Sequence, residues 1–196
     1  MFSETLNFLA AELNGYFEDK MLQGADPRVK IGNVARALDG SLTHNDSLDD
    51  KLILTLVNLE EDRAMRRHES VVKVDGMARY KRPPLLLNLY VLVSANKGDY
   101  GTSLTQLGYV VQFFQFQNCF THSTHPTLDA RIEKLLVELY TLNFEQVNHL
   151  WSTLGGKYLP SVLYKIQQLS LDENVVIGEA GLIQEILLDG ATLRAT

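Results

Sequence analysis

The chain has 196 residues, a formal net charge of −6 and an apolar content of 45%, enough for one domain with a full core of its own. Its acidic balance, with a pI near 5.3, argues against general attraction to nucleic-acid backbones. A single cysteine, Cys119, excludes an intrachain disulfide and fits a reducing compartment.

Leu6, Leu9, Ala10, Leu13 and Phe17 recur at helical spacing and predict a first helix of roughly five turns. Glu4 and Glu12 interrupt that apolar pattern and no cationic leader precedes it, so it reads as an amphipathic helix rather than a secretion signal. Gly24, Asp26 and Pro27 are expected to end it. "RVKIGNVARAL" alternates loosely and reads as a first strand, and residues 39–50, "DGSLTHNDSLDD", read as a solvated loop. "KLILTLVNLEEDR" is expected to be a second strand, apolar on both faces until Glu60. Residues 61–80 hold a charge run and a turn at Asp75-Gly76, and read as a long hairpin tip between two neighbouring strands.

In "KRPPLLLNLYVLVSAN", Pro83 and Pro84 favour extended chain and mark a strand start. The run Leu85 to Ala95 is interrupted by Asn88 and Ser94 and falls short of the about 20 apolar residues a membrane helix needs. Leu85, Leu87, Leu89, Val91 and Val93 share one face, while Leu86, Asn88, Tyr90 and Leu92 form a second, mostly apolar one. A strand apolar on both faces is covered on both, which predicts a central position in a sheet. Leu104, Leu107, Val111 and Phe114, widened by Val110, Phe113 and Phe116, predict a helix buried on more than one side. "NCFTHSTHPTLD" reads as a loop. "RIEKLLVELYTL" fits helix and strand alike, with propensity slightly on the side of helix. "NFEQVNHLWSTLGG" reads as a helix capped by Asn143 and by Gly155-Gly156, and "YLPSVLYKIQQLSLD" as a last long strand. The stretch after it, 173–196, mixes glycine with the short amphipathic "LIQEILL".

The chemistry-bearing groups are few. Cys119, His122 and His125, with Asp129 following, offer zinc-type ligands, but a structural site needs four ligands and the paired spacings are missing. A surface loop behind a buried phenylalanine is the plainer reading. Glu60, Glu61 and Asp62 cluster at a strand end, yet adjacent strand residues face opposite ways and no second acid–base group fixes their geometry. Arg63, Arg66, Arg67 and His68, with Lys81 and Arg82, form one basic concentration, suited to an acidic protein surface and lacking the interleaved aromatics of a nucleic-acid site. "LGGKYLP" has neither the glycine spacing nor the Ser/Thr of a phosphate loop and reads as a turn.

Taken in order, "LTLVNLEEDR", "PPLLLNLYVLVSAN", a helix ending "VVQFFQ", "RIEKLLVELYTLNFEQVNHLW" and "LGGKYLPSVLYKI" resemble the N-terminal domain of tail-terminator (cap) proteins of phage-tail-like contractile injection systems. The resemblance covers roughly residues 3–172. It implies an α/β (α+β) domain with a single mixed β-sheet and helices packed on it, over 1–172, followed by a C-terminal extension, 173–196. It also implies that "RIEKLLVELYTL" is a strand, tertiary context overriding propensity.

By the same resemblance, the chain is expected to be a non-catalytic cap without cofactor or metal. The expected assembly is a homohexameric ring that ends the inner tube and sheath away from the baseplate, stops tube growth and ties tube to sheath. Expected partners are other copies of the chain, the inner tube protein and the sheath protein, with no nucleic acid and no direct membrane insertion. The expected location is a phage-tail-like particle built in the bacterial cytoplasm. Matching motifs place candidate contact residues at Asn58, Glu60, Glu61 and Arg63, at Pro83, Pro84 and Asn88, and at Trp151, Gly155, Gly156, Lys157 and Tyr158. For Trp151, the glycines and the prolines, packing and turn formation are the simpler roles. Arg66 and Arg67 extend the charged set, and Leu182, Ile183, Ile186, Leu187 and Leu188 are candidates for contact with a neighbouring copy or a sheath end. Two other readings stay open: an adaptor that binds one protein through residues 60–82, and a small metal-dependent hydrolase built on the Cys119–His125 loop.

Overall fold

The computed structural model describes residues 2–20, 28–38, 48–62, 70–74, 77–81, 86–170 and 176–181. Helix α1 (Phe2–Lys20) buries Thr5, Leu6, Phe8, Leu9, Ala10, Leu13 and Phe17, the stripe that the sequence periodicity predicts. The segment "RVKIGNVARAL" departs from the expected single strand. It is a three-residue strand, β1 (Val29–Ile31), followed by a short helix, α2 (Val34–Leu38). Gly32 makes the break: its N–H bonds the Leu54 carbonyl, its carbonyl accepts from the Thr55 hydroxyl, and a Cβ there would lie 2.4 Å from a Leu48 methyl. The Asn33 side chain then accepts from the Ala35 N–H and starts the helical turn.

The strands β2 (Lys51–Glu61), β5 (Leu86–Asn96), β6 (Cys119–Thr121), β7 (Ile132–Leu139) and β8 (Ser161–Ser170) join β1 in a six-stranded mixed sheet of order β1-β2-β5-β8-β7-β6. Only the β1–β2 pair is parallel. The proline-led run is thus a central strand, as its two apolar faces require. Leu87, Leu89, Val91, Val93 and Ala95 enter the larger core beneath α1 and helix α3 (Tyr100–Phe116), while Leu92 enters the smaller core beneath α2 and helix α4 (Phe144–Thr153). "RIEKLLVELYTL" supplies β7, whose Ile132, Leu135 and Val137 are buried in the larger core. The loop expected at "NCFTHSTHPTLD" begins with β6, because Phe120 is fully buried and its neighbours pair with β7.

Helix α3 starts on Asp99, whose carboxylate accepts from the Thr102 N–H at 2.6 Å. Its buried stripe is Ser103, Gln106, Leu107, Val110, Phe113 and Phe114, a single face. The wider burial expected from sequence is not seen among the described residues: Leu104 is 49% and Phe116 is 87% exposed, and Val111 is half-buried. Helix α4 has a capping box, Asn143 accepting from the Gln146 N–H while the Gln146 side chain accepts from the Asn143 N–H.

Residues 70–81 do form a hairpin, β3 (Ser70–Val74) against β4 (Met77–Lys81), and its turn residues 75–76 lie outside the described set. A further strand, β9 (Val176–Gly181), pairs with β4 and completes a second sheet of order β3-β4-β9. That pairing joins segments about a hundred residues apart and draws on a glycine-bearing stretch, "VIGEAG", so no local pattern announces it. The loop expected over 39–47 and the apolar stretch 182–188 lie outside the described residues.

Candidate functional site

Strand register gathers polar groups on the face of the sheet that carries α4. One row across the four strands is Asn58, Tyr90, Lys165 and Glu138, and the next is Glu60, Asn88, Gln167 and Leu136. Partners in register share a face, so the two rows form one patch. Within it the Tyr90 hydroxyl donates to Oε2 of Glu60 at 2.7 Å, and the Tyr90 ring meets Tyr140 edge-on at 5.1 Å. The hydrogen bond to Glu60, followed by partial burial, raises the Tyr90 pKa to about 12. Asn58 turns its carbonyl oxygen onto the Leu59 N–H. Asn88 is only 3% exposed, and its Oδ1 has no hydrogen-bond partner among the described residues.

The sequence-derived candidates Asn58, Glu60 and Asn88 therefore come together, while Glu61, opposite Leu87, turns to the other face. Chemically the patch offers two carboxylates, amides, a phenol and an amine on rigid strands. The Tyr90 hydroxyl is bonded to Glu60, so the pair presents an engaged phenol and carboxylate on the sheet face.

Beside this patch, α4 and the sheet enclose a groove of about 170 Å³ lined by Leu92, Leu142, Val147, Leu150, Trp151, Tyr158, Ser161 and Leu163. Trp151 is buried and meets Tyr158 edge-on at 5.5 Å, which makes it the anchor of α4 on the sheet. Gly155 and Gly156, at φ of +103° and +78°, turn the chain out of α4; the Gly156 N–H bonds the Trp151 carbonyl at 2.7 Å. Lys157 follows as an exposed residue.

The Cys119 loop has a structural account. His125 packs on the rings of Phe8 and Phe120, bonds the Thr124 hydroxyl through Nδ1, and lies 3.6 Å from Glu12 through Nε2. Asp129 makes a two-point ion pair with Arg131, which holds its carboxyl well below the usual range. Among the described residues no group of histidine, cysteine or carboxylate side chains is arranged to hold a metal ion. No helix among them is long and apolar enough to cross a membrane.

Sequence reasoning did not mark Phe116, Leu139, Tyr140 and Phe144 as exposed apolar residues. Each lies at the end of an element or just past it, where the periodicity that would mark it as outward-facing runs out. Arg63, Arg66, Arg67, Pro83, Pro84, Leu182, Ile183, Ile186, Leu187 and Leu188 lie outside the described residues.

Comparison with known proteins adds to this geometry. The fold resembles the sheath/tube terminator of PVC, an extracellular contractile injection system, in its extended state, with a TM-score of 0.60 and 14% identity. It also resembles the tube-terminating cap of the anti-feeding prophage, AFP, with a TM-score of 0.58 and 12% identity. At these identities the likeness is one of fold. The alignments cover 100% and 93% of this chain but only 64% and 60% of the terminator chains, so it spans about three fifths of their length. Among curated proteins none matches the sequence significantly. The sequence profile of the Pvc16 N-terminal domain matches residues 4–185, nearly the whole chain. The chain therefore belongs to the Pvc16 N-terminal domain family.

Proposed function

We propose that this chain is the structural terminator of a contractile injection particle. In this reading, copies of it form a closed ring, six in number, on the end of the inner tube and sheath far from the baseplate. The ring stops tube growth and couples tube to sheath. The observation that carries the reading is the family match over residues 4–185, joined to a fold shared with two proteins that are themselves tube terminators. A tube end offers unfilled contact surfaces to the next ring, so a terminator must complement them on one side and present nothing equivalent on the other. A rigid sheet carrying separate polar and apolar patches suits that division.

The role is one of contact rather than catalysis. Its partners are further copies of the chain, the inner tube protein and the sheath protein. The contact residues are Asn58, Glu60, Glu61, Arg63, Arg66, Arg67 and Lys157, with the apolar set Leu182, Ile183, Ile186 and Leu187. The protein is built in the cytoplasm of the producing cell and ends as part of the particle.

Electron microscopy of particles made with and without the gene tests the proposal. Overlong, uncapped or missing tubes, with lost density at the end away from the baseplate, are expected on deletion. Particles unchanged in length and end structure would overturn it.

A further inference from the structure

Strand β2 loses its outer neighbour partway along. Strand β1 pairs with it only at Leu52, Ile53 and Leu54. The Thr55 hydroxyl then donates to the Gly32 carbonyl and accepts from the Val34 N–H, and the chain of β1 turns off into α2. From Leu56 to Glu61 no strand among the described residues pairs with that side of β2. Asn58, Leu59 and Glu60 are exposed on this stretch, Leu59 to 43%. An open edge that carries an exposed leucine is a template for another strand.

The backbone directions along this stretch follow from its two ends. The Leu52 N–H and the Leu54 carbonyl point to β1, whereas the Asp62 N–H points to β5 and meets the Leu86 carbonyl at 3.0 Å. Alternation carries one parity forward through Leu56 and the other back from Asp62. The two meet at the bulge between Leu56 and Asn58, where Val57 is the extra residue. Beyond the bulge the N–H and C=O of Leu59 therefore face the open side. That N–H is already engaged: it donates to Oδ1 of Asn58 at 2.9 Å. The Asn58 side chain thus stands where the carbonyl of an added strand would bind. The bulge twists the edge as well, and exposed Glu60 sets a charge there that a second copy of the strand would have to approach.

We infer that Asn58 closes the β2 edge to strand addition by a second copy of this chain. Identical antiparallel edges can pair across a two-fold axis with no other partner, so the chain itself is the strand most at hand. Only the carbonyl oxygen of Asn58 takes part in the bond, which leaves its amide nitrogen for the contact set proposed above. The inference does not rest on the terminator reading.

The purified chain tests this without any particle. In Asn58→Ala the Leu59 N–H loses its acceptor, so in dilute solution its amide exchange, followed by nuclear magnetic resonance, should quicken about fivefold or more over wild type. On concentration, the variant should associate at about fivefold lower concentration than wild type in sedimentation, and its Leu59 amide should then become protected. Adding Leu59→Pro removes the donor itself. Proline is tolerated on an edge strand where its nitrogen faces solvent, and this double variant should return to wild-type association. A gain in association that survives Leu59→Pro overturns the inference. So does unchanged Leu59 exchange in Asn58→Ala, or association no stronger than that of wild type. Should the proline variant melt early, the two measurements on Asn58→Ala decide by themselves. If they behave as expected and gene deletion still leaves particle length unchanged, the terminator function fails while the closed edge stands.

Discussion

The phenol of Tyr90 on β5 and the carboxylate of Glu60 on β2 are joined by a 2.7 Å hydrogen bond across the face of the sheet that carries α4. The carboxylate accepts only while the phenol keeps its proton, which is why the Tyr90 pKa rises to about 12. In the unfolded chain a tyrosine ionises near about 10. The folded state therefore holds the proton more tightly, so the stability this bond adds is complete below about pH 10 and is lost as pH climbs from there to about 12. Spectrophotometric titration should show late-ionising tyrosines, Tyr90 and the buried Tyr164 among them, and in Glu60→Leu one of these should revert toward the ordinary value. The bond is solvent-exposed, so its loss should cost under about 1 kcal/mol in a urea melt.

A second cross-element bond lies in the core, where Thr5 Oγ1 on α1 donates to Oε1 of Gln168 on β8 at 2.8 Å. Thr5→Val keeps the shape but leaves a buried amide oxygen without its donor, expected to cost about 1–3 kcal/mol. Adding Gln168→Leu removes the orphaned amide, and the double variant should recover much of that loss. Denaturant melts of the three variants measure the non-additivity.

Tyr164 points into the larger core, its hydroxyl has no partner among the described residues, and burial pushes its pKa up. Removing a hydroxyl that makes no bond removes a desolvation cost, so Tyr164→Phe should be neutral or stabilising by up to about 1 kcal/mol. A destabilised variant would show that the hydroxyl is bonded after all.

The two ends of α4 are fixed by local chemistry. Asn143→Ala removes the side-chain half of the capping box, the bond accepted from the Gln146 N–H, and should cost about 1 kcal/mol. Gly156→Ala places a side chain at φ of +78°, where only the backbone conformation opposes it, since the space around it is open; a loss of about 1 kcal/mol is expected. Because Trp151 and Tyr158 flank this turn, tryptophan fluorescence reports whether either change loosens the groove.

Periodicity and punctuation carried a good share of this fold. The stripe of α1, the two apolar faces of β5 and the caps of α4 follow from residue spacing and turn chemistry alone, because each depends on neighbours within a few positions. The family resemblance supplied what propensity did not, the strand at β7. Tertiary structure decided the rest. "RVKIGNVARAL" breaks at Gly32 because Leu48 leaves no room for a side chain there, a contact sixteen residues away. The second sheet exists because β9 returns to β4 across a hundred residues, with no local signal in its glycines. The polar patch of Asn58, Glu60, Asn88 and Tyr90 is a product of strand register, and register is set by which faces the cores bury. Residue patterning sets the kind of surface each strand carries, and packing decides which of those surfaces lie side by side.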